Sequence, residues 1–156
     1  MEKERKVTAP DWCEIEKVEI VDGVAVVKFC EKELKLPRSW EEFYEMTGVK
    51  IPYNLEQRIL DVVGDRATAE AVLALCQLIQ LRDCYNGDWV PDWKNGETKF
   101  MIITYEGEID VDCANNLSSS ILYFKSEQLR NDFLKYFRPL IEKLKPLYGI
   151  KEGGEE

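Results

Sequence analysis

The chain has 156 residues, of which 45% are apolar, and its 30 acidic residues outnumber its 21 basic ones to give a net charge of −9. Because it contains no His, Ser–His and Cys–His nucleophile pairs and His-ligated metal sites are excluded. The excess of acids also disfavours attraction to nucleic acid or to an anionic membrane, since both require basic residues to neutralise phosphates.

Neither a membrane span nor an export signal is predicted. No run approaches the ~20 apolar residues of a bilayer crossing, and the charged residues 1–6 lead into no apolar stretch of the signal-peptide kind. The Cys residues are odd in number, without a Cys-x-x-Cys pair, as is typical of reduced thiols. They are Cys13, Cys30, Cys76, Cys84 and Cys113. We therefore expect a cytoplasmic protein.

Residues 13–36 are predicted to form strands. Alternating apolar residues flank Asp22-Gly23, a dipeptide that strongly favours a two-residue hairpin turn, and residues 34–36 predict a short third strand. The alternation slips near residues 16–17 and again near residues 26–27. A β-bulge or a bend is expected at each of these places.

Two short helices are predicted between Pro37 and Gly64. Residues 39–42, Ser-Trp-Glu-Glu, form a capping box that starts the first helix, and Gly48 ends it. Asn54 starts the second helix, which extends to about Val63.

The strongest helix prediction covers Ala67 to about Cys84. Residues 71–81 are apolar almost all round the helix, and a helix of that kind is buried on most faces. We expect it at the centre of the fold, with Asn86-Gly87 ending it.

Three further strands and a last helix are predicted after this segment. The strands cover residues 99–105, 109–113 and 120–124, and Ser126 caps the helix that follows. The apolar stripe of that helix is Leu129, Phe133, Phe137, Leu140 and Leu144. Pro139 lies inside the helix and is expected to kink or split it, because proline has no backbone N–H to donate.

The order of strands, helices, strands and a helix predicts the α+β class. We expect an antiparallel sheet packed on one face by helices, with one long buried central helix. The length predicts a single α+β domain over 11–148, between a disordered N-terminal segment, 1–10, and a disordered acidic tail, 149–156.

The candidate binding site is the loop after the central helix, which holds two of the four Trp residues. Its candidate residues are Tyr85, Asp88, Trp89, Asp92 and Trp93. In one interpretation, Tyr85, Trp89 and Trp93 form an exposed aromatic platform for a partner. In the other, which we favour, the Trp rings pack back against the end of the helix while Asp92 accepts hydrogen bonds from nearby amides. Trp93 in particular is expected in the core.

The acidic residues support an enzymatic alternative, a carboxylate-metal hydrolase. Asp92, Asp110 and Asp112 would together bind Mg²⁺ or Ca²⁺, which prefer oxygen ligands. Their spacing matches no EF-hand loop, and Asp110 and Asp112 alternate on one face of a strand. We favour a solvated strand face whose charges protect the edge of the sheet.

A second alternative is single-stranded nucleic-acid binding, with bases stacked on Trp89 and Trp93. Such platforms pair aromatic rings with a basic groove. The cations near the loop are Lys94, Lys99, Lys125 and Arg130, and the net negative charge argues against this alternative. The neighbouring Ser118-Ser119-Ser120 has no glycine-rich loop and predicts a polar turn rather than a phosphate site.

The C-terminal half contains two segments of a recurrent pattern. They are Asn86-Gly87-Asp88-Trp89-Val90-Pro91-Asp92-Trp93 and Leu122-Tyr123-Phe124-Lys125-Ser126-Glu127-Gln128-Leu129. With the apolar helix before them, they resemble small uncharacterised proteins of gut Bacteroidales and their phages, which carry a Gly-Trp-x-Pro-Asp-Trp turn and a Leu-x-Phe-Lys-Ser-x-x-Leu helix start. The resemblance covers about residues 70–145, and Asp88 departs from it by one residue. It implies a phage or mobile-element origin and assigns no catalytic residue.

We therefore expect a non-enzymatic, phage-like accessory protein that works by binding. A protein partner or a second copy of the chain is the expected ligand, and no cofactor, metal ion or membrane is part of the expectation. The carboxylate-metal hydrolase and the binding of single-stranded nucleic acid are the alternatives.

Overall fold

The computed structural model of the protein describes residues 6–9, 13–31, 35–116 and 120–150. Contacts divide the chain into two compact units, Met1–Lys35 and Leu36–Glu156. In chain order the elements are β1 (Cys13–Val21), β2 (Val24–Glu31), α1 (Trp40–Thr47), α2 (Leu55–Val63), α3 (Arg66–Asn86), β3 (Lys99–Tyr105), β4 (Glu108–Ala114), β5 (Leu122–Phe124), α4 (Glu127–Glu142) and a 3₁₀ helix (Lys145–Tyr148).

The α+β class predicted from the sequence is confirmed, with two antiparallel sheets instead of one. A single domain is predicted over 11–148, whereas the division between the two units falls inside that range, after Lys35. The reason is that β1 and β2 pair with each other, while the hydrophobic core of the second unit is built from residues that follow Lys35.

The first unit contains a two-stranded hairpin. Its turn residues Asp22 and Gly23 both have positive φ, 49° and 78°, which is the conformation whose twist matches the flanking strands. The register shifts by one residue between Ile15 and Lys17, so the bulge predicted at residues 16–17 is confirmed.

Two other predictions for this region have different outcomes. The pairing is regular through residues 26–27, so the second predicted irregularity is wrong. Of the predicted third strand at 34–36, residue 34 lies outside the described residues, and Lys35 and Leu36 have no strand structure.

The centre of the second unit is α3, which packs against α1, α2, α4 and β5. Asp65 caps its first turn, where the side chain accepts a hydrogen bond of 2.8 Å from the Thr68 amide. This bond lowers the pKa of the Asp65 carboxyl, because it favours the ionised form. The prediction of a long buried central helix is confirmed, and α3 extends two residues beyond Cys84.

The other helices start at the predicted caps. Ser39 accepts a hydrogen bond from the Glu42 amide at 3.1 Å, and Glu42 in turn accepts from the amide of Arg38, one residue before the expected partner, at 2.7 Å. Ser126 caps α4 through the Leu129 amide.

The prediction that Pro139 splits the last helix is wrong, since α4 continues through it from Glu127 to Glu142. Pro139 itself is exposed, while Phe133, Phe137 and Ile141 are buried in the core. Burial of that stripe on both sides of Pro139 stabilises the helix despite the missing backbone hydrogen bond.

The sheet of the second unit has the strand order β4-β3-β5. Ile102, Leu122 and Phe124 belong to the core formed with the helices. Because side chains alternate along a strand and Met101 lies opposite Tyr123, Lys99, Met101 and Tyr123 share the opposite face. That second face carries the Trp loop.

No helix among the described residues combines the length and the apolar composition needed to cross a bilayer. Of the two segments predicted to be disordered, only residues 6–9 of the first and Gly149 and Ile150 of the second are described. The remainder of both predictions lies outside the described residues.

Candidate functional site

The Trp loop, residues 87–98, is shaped by short-range hydrogen bonds at its ends. Where α3 ends, the Trp89 amide donates to the Asn86 carbonyl oxygen at 3.2 Å. Further on, Asp92 accepts from the Lys94 amide at 2.8 Å, as expected for an Asp that stabilises a turn. Asp88 is exposed and lies next to Gly87 at the helix end.

Both Trp rings of the loop contact Tyr123 of β5. The ring centroids of Trp89 and Tyr123 are 6.3 Å apart and those of Trp93 and Tyr123 are 5.9 Å apart, both with edge-on geometry. Each Trp is half-buried. The loop therefore covers part of the second face of the sheet, and neither ring is fully enclosed in the core.

Lys99 lies beneath this cluster at the start of β3. Its side chain is fully buried, its Nζ donates to Asn95 Oδ1 at 2.8 Å, and the same atom lies 5.6 Å from the centre of the Trp93 ring. An ammonium group is tolerated here because a hydrogen-bond acceptor and the face of an aromatic ring both stabilise its charge.

Tyr85 is predicted in the same cluster as the two Trp rings, and the structure places it in the core instead. It is 1% exposed and packs edge-on against Phe133 and Phe137, while its hydroxyl donates to the Pro37 carbonyl oxygen at 2.8 Å. Burial raises the pKa of the Tyr85 hydroxyl well above its usual value. An exposed three-ring platform is therefore not formed.

Polar side chains near the loop form hydrogen bonds with the backbone along the edge of β5, a role that was not predicted. Asn86 Nδ2 donates to the Tyr123 carbonyl oxygen at 2.9 Å and its Oδ1 accepts from the Lys125 amide at 3.2 Å. One turn earlier on α3, Arg82 donates to the Ile121 carbonyl oxygen at 2.7 Å. These two side chains occupy the place of a neighbouring strand, which protects the edge of β5 from pairing with another chain.

The candidate acids do not assemble into a metal site. Within the described parts of the chain, which include Asp92, Asp110 and Asp112, no group of three or more acidic or Cys side chains is placed to hold a metal ion. Asp110 and Asp112 instead accept hydrogen bonds of 2.8 Å from the amides of Val111 and Cys113, the residues that follow them. This arrangement occupies backbone donors of the exposed strand β4.

The cations proposed for a nucleic-acid groove are partly withdrawn from solvent. Lys99 is buried under Trp93. Arg130 is also buried, and its guanidinium donates to Glu127, Asn131 and the Asp112 carbonyl oxygen. In the Ser triplet, Ser118 and Ser119 lie outside the described residues, and Ser120 donates to the Ile102 carbonyl oxygen at 2.8 Å.

The hairpin of the first unit carries an exposed apolar surface that sequence reasoning did not single out. Residues that lie directly opposite in antiparallel strands share a face, and three consecutive pairs on one face are wholly apolar. We call this surface the hairpin apolar face, and its residues are Ile15, Phe29, Val18, Val27, Ile20 and Ala25. Val18 is 60% exposed and Ile20 is 78% exposed.

The bulge at Glu16 creates this face. Without the extra residue, Val18 and Ile20 would point to the side opposite Ile15, because a shift of one residue reverses the facing of a strand. The bulge thus aligns Ile15, Val18 and Ile20 opposite Phe29, Val27 and Ala25. The sequence signal for this face was the slip in alternation near residues 16–17. Pairing the two strands with a bulge at that slip would have shown that the six apolar residues share one face.

The second face of the hairpin is mixed, with charged residues along its middle and the apolar pair Val21 and Val24 next to the turn. Glu19 pairs with Lys17 at 2.5 Å and with Lys28 at 3.9 Å, and Glu14 lies opposite Cys30. One face of the hairpin is thus apolar along three consecutive pairs, and the other mixes charged and apolar residues. A two-stranded sheet alone has no second layer to cover its apolar side.

Comparisons of the chain with protein-family models, with curated proteins and with solved structures found no match.

Proposed function

We propose that this is a non-enzymatic accessory protein that acts by binding a protein partner, and that the hairpin apolar face is the docking surface. The observation that carries the proposal is a row of six apolar side chains on one face of a two-stranded sheet, of which five are exposed and Val27 is half-buried. Contiguous exposed apolar surface is characteristic of interaction sites, and leaving these side chains in water forgoes about 25 cal/mol per Å² of apolar area.

The alternatives have weaker support. A hydrolase using Asp92, Asp110 and Asp112 requires these carboxylates to converge, whereas two of them bond to the backbone of β4. Base stacking on Trp89 and Trp93 requires exposed rings beside free cations, whereas both rings lean on Tyr123 and Lys99 is buried.

The setting we propose is the cytoplasm of a bacterial host. All five Cys residues are free thiols, which suits a reducing compartment. The phage or mobile-element origin is supported by the sequence resemblance over about residues 70–145.

The test compares two variants that carry the same type of change. Val18→Thr with Ile20→Thr makes the hairpin apolar face polar while keeping the β-branched shape that strands favour. Val62→Thr is the control, since this side chain is 85% exposed in the second unit and lies outside the Trp loop. Proteins captured from the native host are identified by mass spectrometry, and a purified candidate partner is then titrated against each variant by calorimetry.

We expect the hairpin variant to bind at least about tenfold more weakly than wild type, as for hot-spot residues, and the control to bind as wild type does. Equal binding by the hairpin variant and wild type would refute the docking surface. Robust hydrolase, phosphatase or nuclease activity that is lost on changing one acid would refute the non-enzymatic role.

A further inference from the structure

The sheet of the second unit has an open stretch of edge on β3. This strand continues to Tyr105, whereas its pairing with β5 ends at Ile102 and Leu122. Ser120 occupies the backbone groups at this point, since its Oγ donates to the Ile102 carbonyl oxygen at 2.8 Å and accepts from the Leu122 amide at 3.2 Å. On this side, residues 103–105 have no strand partner in the part of the chain that the structure describes.

The backbone of Thr104 faces this open edge. Alternate residues of a strand direct their N–H and C=O groups to the same edge. The Ile102 carbonyl oxygen bonds to Ser120 on the β5 side, and Thr104 lies two residues further along. On the β4 side the Val111 amide, opposite Ile102, bonds to Asp110 instead of to β3, which agrees with this direction. Thr104 thus offers a donor and an acceptor to an added strand.

The outer edges of the same sheet are protected in other ways. On β4, the carboxylates of Asp110 and Asp112 accept hydrogen bonds from strand amides. On β5, Asn86 and Arg82 bond to the backbone. Blocks of this kind prevent a further strand from pairing with an edge. Within the described strands of this sheet, residues 103–105 are the stretch that can accept one.

A cavity of about 90 Å³ adjoins this stretch. Its lining runs from buried core side chains to exposed ones at the surface. The buried members are Ile102, Leu122, Ile141 and Leu144, the exposed ones are Ile121 and Tyr148, and Ile103, Thr104 and Ser120 complete the lining. A water molecule takes about 30 Å³ of liquid volume, so the cavity has room for roughly three or four non-hydrogen atoms. That is the size of one branched aliphatic side chain.

We propose that residues 103–105 and this cavity bind an extended segment of a partner protein, which pairs with the Thr104 backbone and inserts one Val, Leu or Ile side chain into the cavity. The unpaired strand edge selects an extended backbone, and the cavity volume selects the side chain. In strand addition, main-chain hydrogen bonds supply affinity and side-chain pockets supply specificity. This site belongs to the second unit, so the inference and the proposed role of the hairpin apolar face do not depend on each other.

The experiment uses the full chain, isotope-labelled for NMR, and two capped peptides, Thr-Thr-Leu-Thr-Thr and Thr-Thr-Ala-Thr-Thr. Titration gives the dissociation constant and identifies the protein amides whose chemical shifts change. We expect the Leu peptide to shift the amides of residues 103–105 and Ile121. The Ala peptide should bind at least about tenfold more weakly, because its side chain buries less apolar area in the cavity.

Methylation of the peptide backbone tests the pairing itself. A strand has two edges, and only one of them faces β3. One Leu peptide is N-methylated at its second and fourth residues and another at its third and fifth, so that each loses the donors of one edge. We expect one of the two to bind at least about tenfold more weakly, since it loses its hydrogen bonds to β3, and the other to bind as the unmodified peptide does. Equal binding by the two would overturn the inference.

Substitutions in the protein locate the site. Thr104→Pro removes the amide that faces the open edge, a place where strands tolerate Pro, and is expected to weaken binding of the Leu peptide by about fivefold or more. Ile121→Thr makes the mouth of the cavity polar while keeping the β-branched shape, and should weaken binding by roughly fivefold. Its matched control is Val111→Thr on β4, since Val111 is 39% and Ile121 is 37% exposed.

The control is expected to bind as wild type does. Undiminished binding by Ile121→Thr would overturn the insertion of a side chain into the cavity, as would equal binding of the Leu and Ala peptides. The methylated peptides test the pairing on the unaltered protein, so the result does not depend on whether Thr104→Pro folds.

Other modes of binding give different signals. If the Leu peptide shifts amides of residues 13–31 and not those of residues 103–105, the inference is overturned and the hairpin apolar face gains support. If wild type sediments as a dimer and Ile121→Thr as a monomer, the edge belongs to a second copy of the chain, which overturns a partner segment as the occupant. We expect monomers in both cases.

Discussion

At the scale of single residues, the Asn86 side chain joins the end of α3 to the edge of β5. It is 2% exposed, and its amide bonds to both the Tyr123 carbonyl oxygen and the Lys125 amide. Asn86→Ala leaves these two part-buried backbone groups without their partner, and each such loss costs up to about 1–3 kcal/mol. We expect a loss of that order or more in the free energy of unfolding, measured by urea denaturation.

The control for this prediction is Asn54→Ala. Asn54 is exposed at the start of α2 and its side chain makes no capping bond, so the free energy of unfolding should change by no more than about 0.5 kcal/mol. Equal, small effects at both positions would show that the edge of β5 does not depend on Asn86.

Substitutions of the two Trp residues of the loop test whether each ring serves stability or binding. Trp93→Ala removes the ring that contacts Tyr123 and covers Lys99. We expect it to cost about 3 kcal/mol, the lower end for truncation of a large aromatic, because the ring is only half-buried. Trp89→Ala should cost less, since its one described ring contact is with Tyr123.

Thermal melts of the two variants test this order. An unchanged melting temperature for Trp93→Ala, together with loss of partner capture, would assign the ring to an interface instead. From the sequence Trp93 is expected in the core, whereas both rings are half-buried against Tyr123. Burial depends on Tyr123, about 30 residues further along the chain, and nothing local specifies that contact.

At the scale of elements, the positions of helices and strands could be predicted from the sequence wherever a local signal sets them. Asp22-Gly23 sets the hairpin turn, Ser39 and Ser126 set helix starts, and Gly48 ends α1 in the left-handed conformation. The sequence predicted that Asn86 ends the helix, but it did not predict that Asn86 bonds to the edge of β5. That role depends on a contact 37 residues away, and no short sequence pattern encodes such a distance.

Pro139 provides a test of how α4 is held together. The predicted break is absent because burial of the neighbouring stripe outweighs one missing hydrogen bond. Pro139→Ala should restore that bond and relieve the ring clash, and so raise the free energy of unfolding by up to about 3 kcal/mol. Part of this gain is offset, because replacing Pro increases the conformational entropy of the unfolded chain and so stabilises the unfolded state by about 0.4–1 kcal/mol.

The matched variant is Pro146→Ala. Pro146 lies in the first turn of the 3₁₀ helix, a position where no intrahelical hydrogen bond is lost, so no gain in stability is expected. Chemical denaturation of both variants compares them directly. A gain at Pro146 as large as that at Pro139 would contradict the helical explanation.

At the scale of the whole molecule, the division into two units was not predicted from the sequence. Length and composition indicate one domain, and the strands of the hairpin look like strands of any sheet until their partners are known. Their pairing with each other leaves the core of the second unit to be supplied by residues after Lys35. The same pairing leaves the hairpin apolar face exposed.

This division predicts that residues 36–156 fold without the hairpin. Every member of the core cluster lies within that segment. The free energy of unfolding of the truncated chain should therefore lie within about 0.5 kcal/mol of that of the full chain, because the effects of parts that do not contact each other add. A peptide of residues 13–31 should be unfolded, because an isolated two-stranded hairpin is marginal in water.

Removal of residues 145–156 is the contrasting truncation. It deletes the 3₁₀ helix that packs on α3 and the Ile150 side chain beside Gly107, so it should lower the melting temperature. A 36–156 fragment that melts without cooperativity would show that the hairpin is required for folding and is not free to serve as a docking surface.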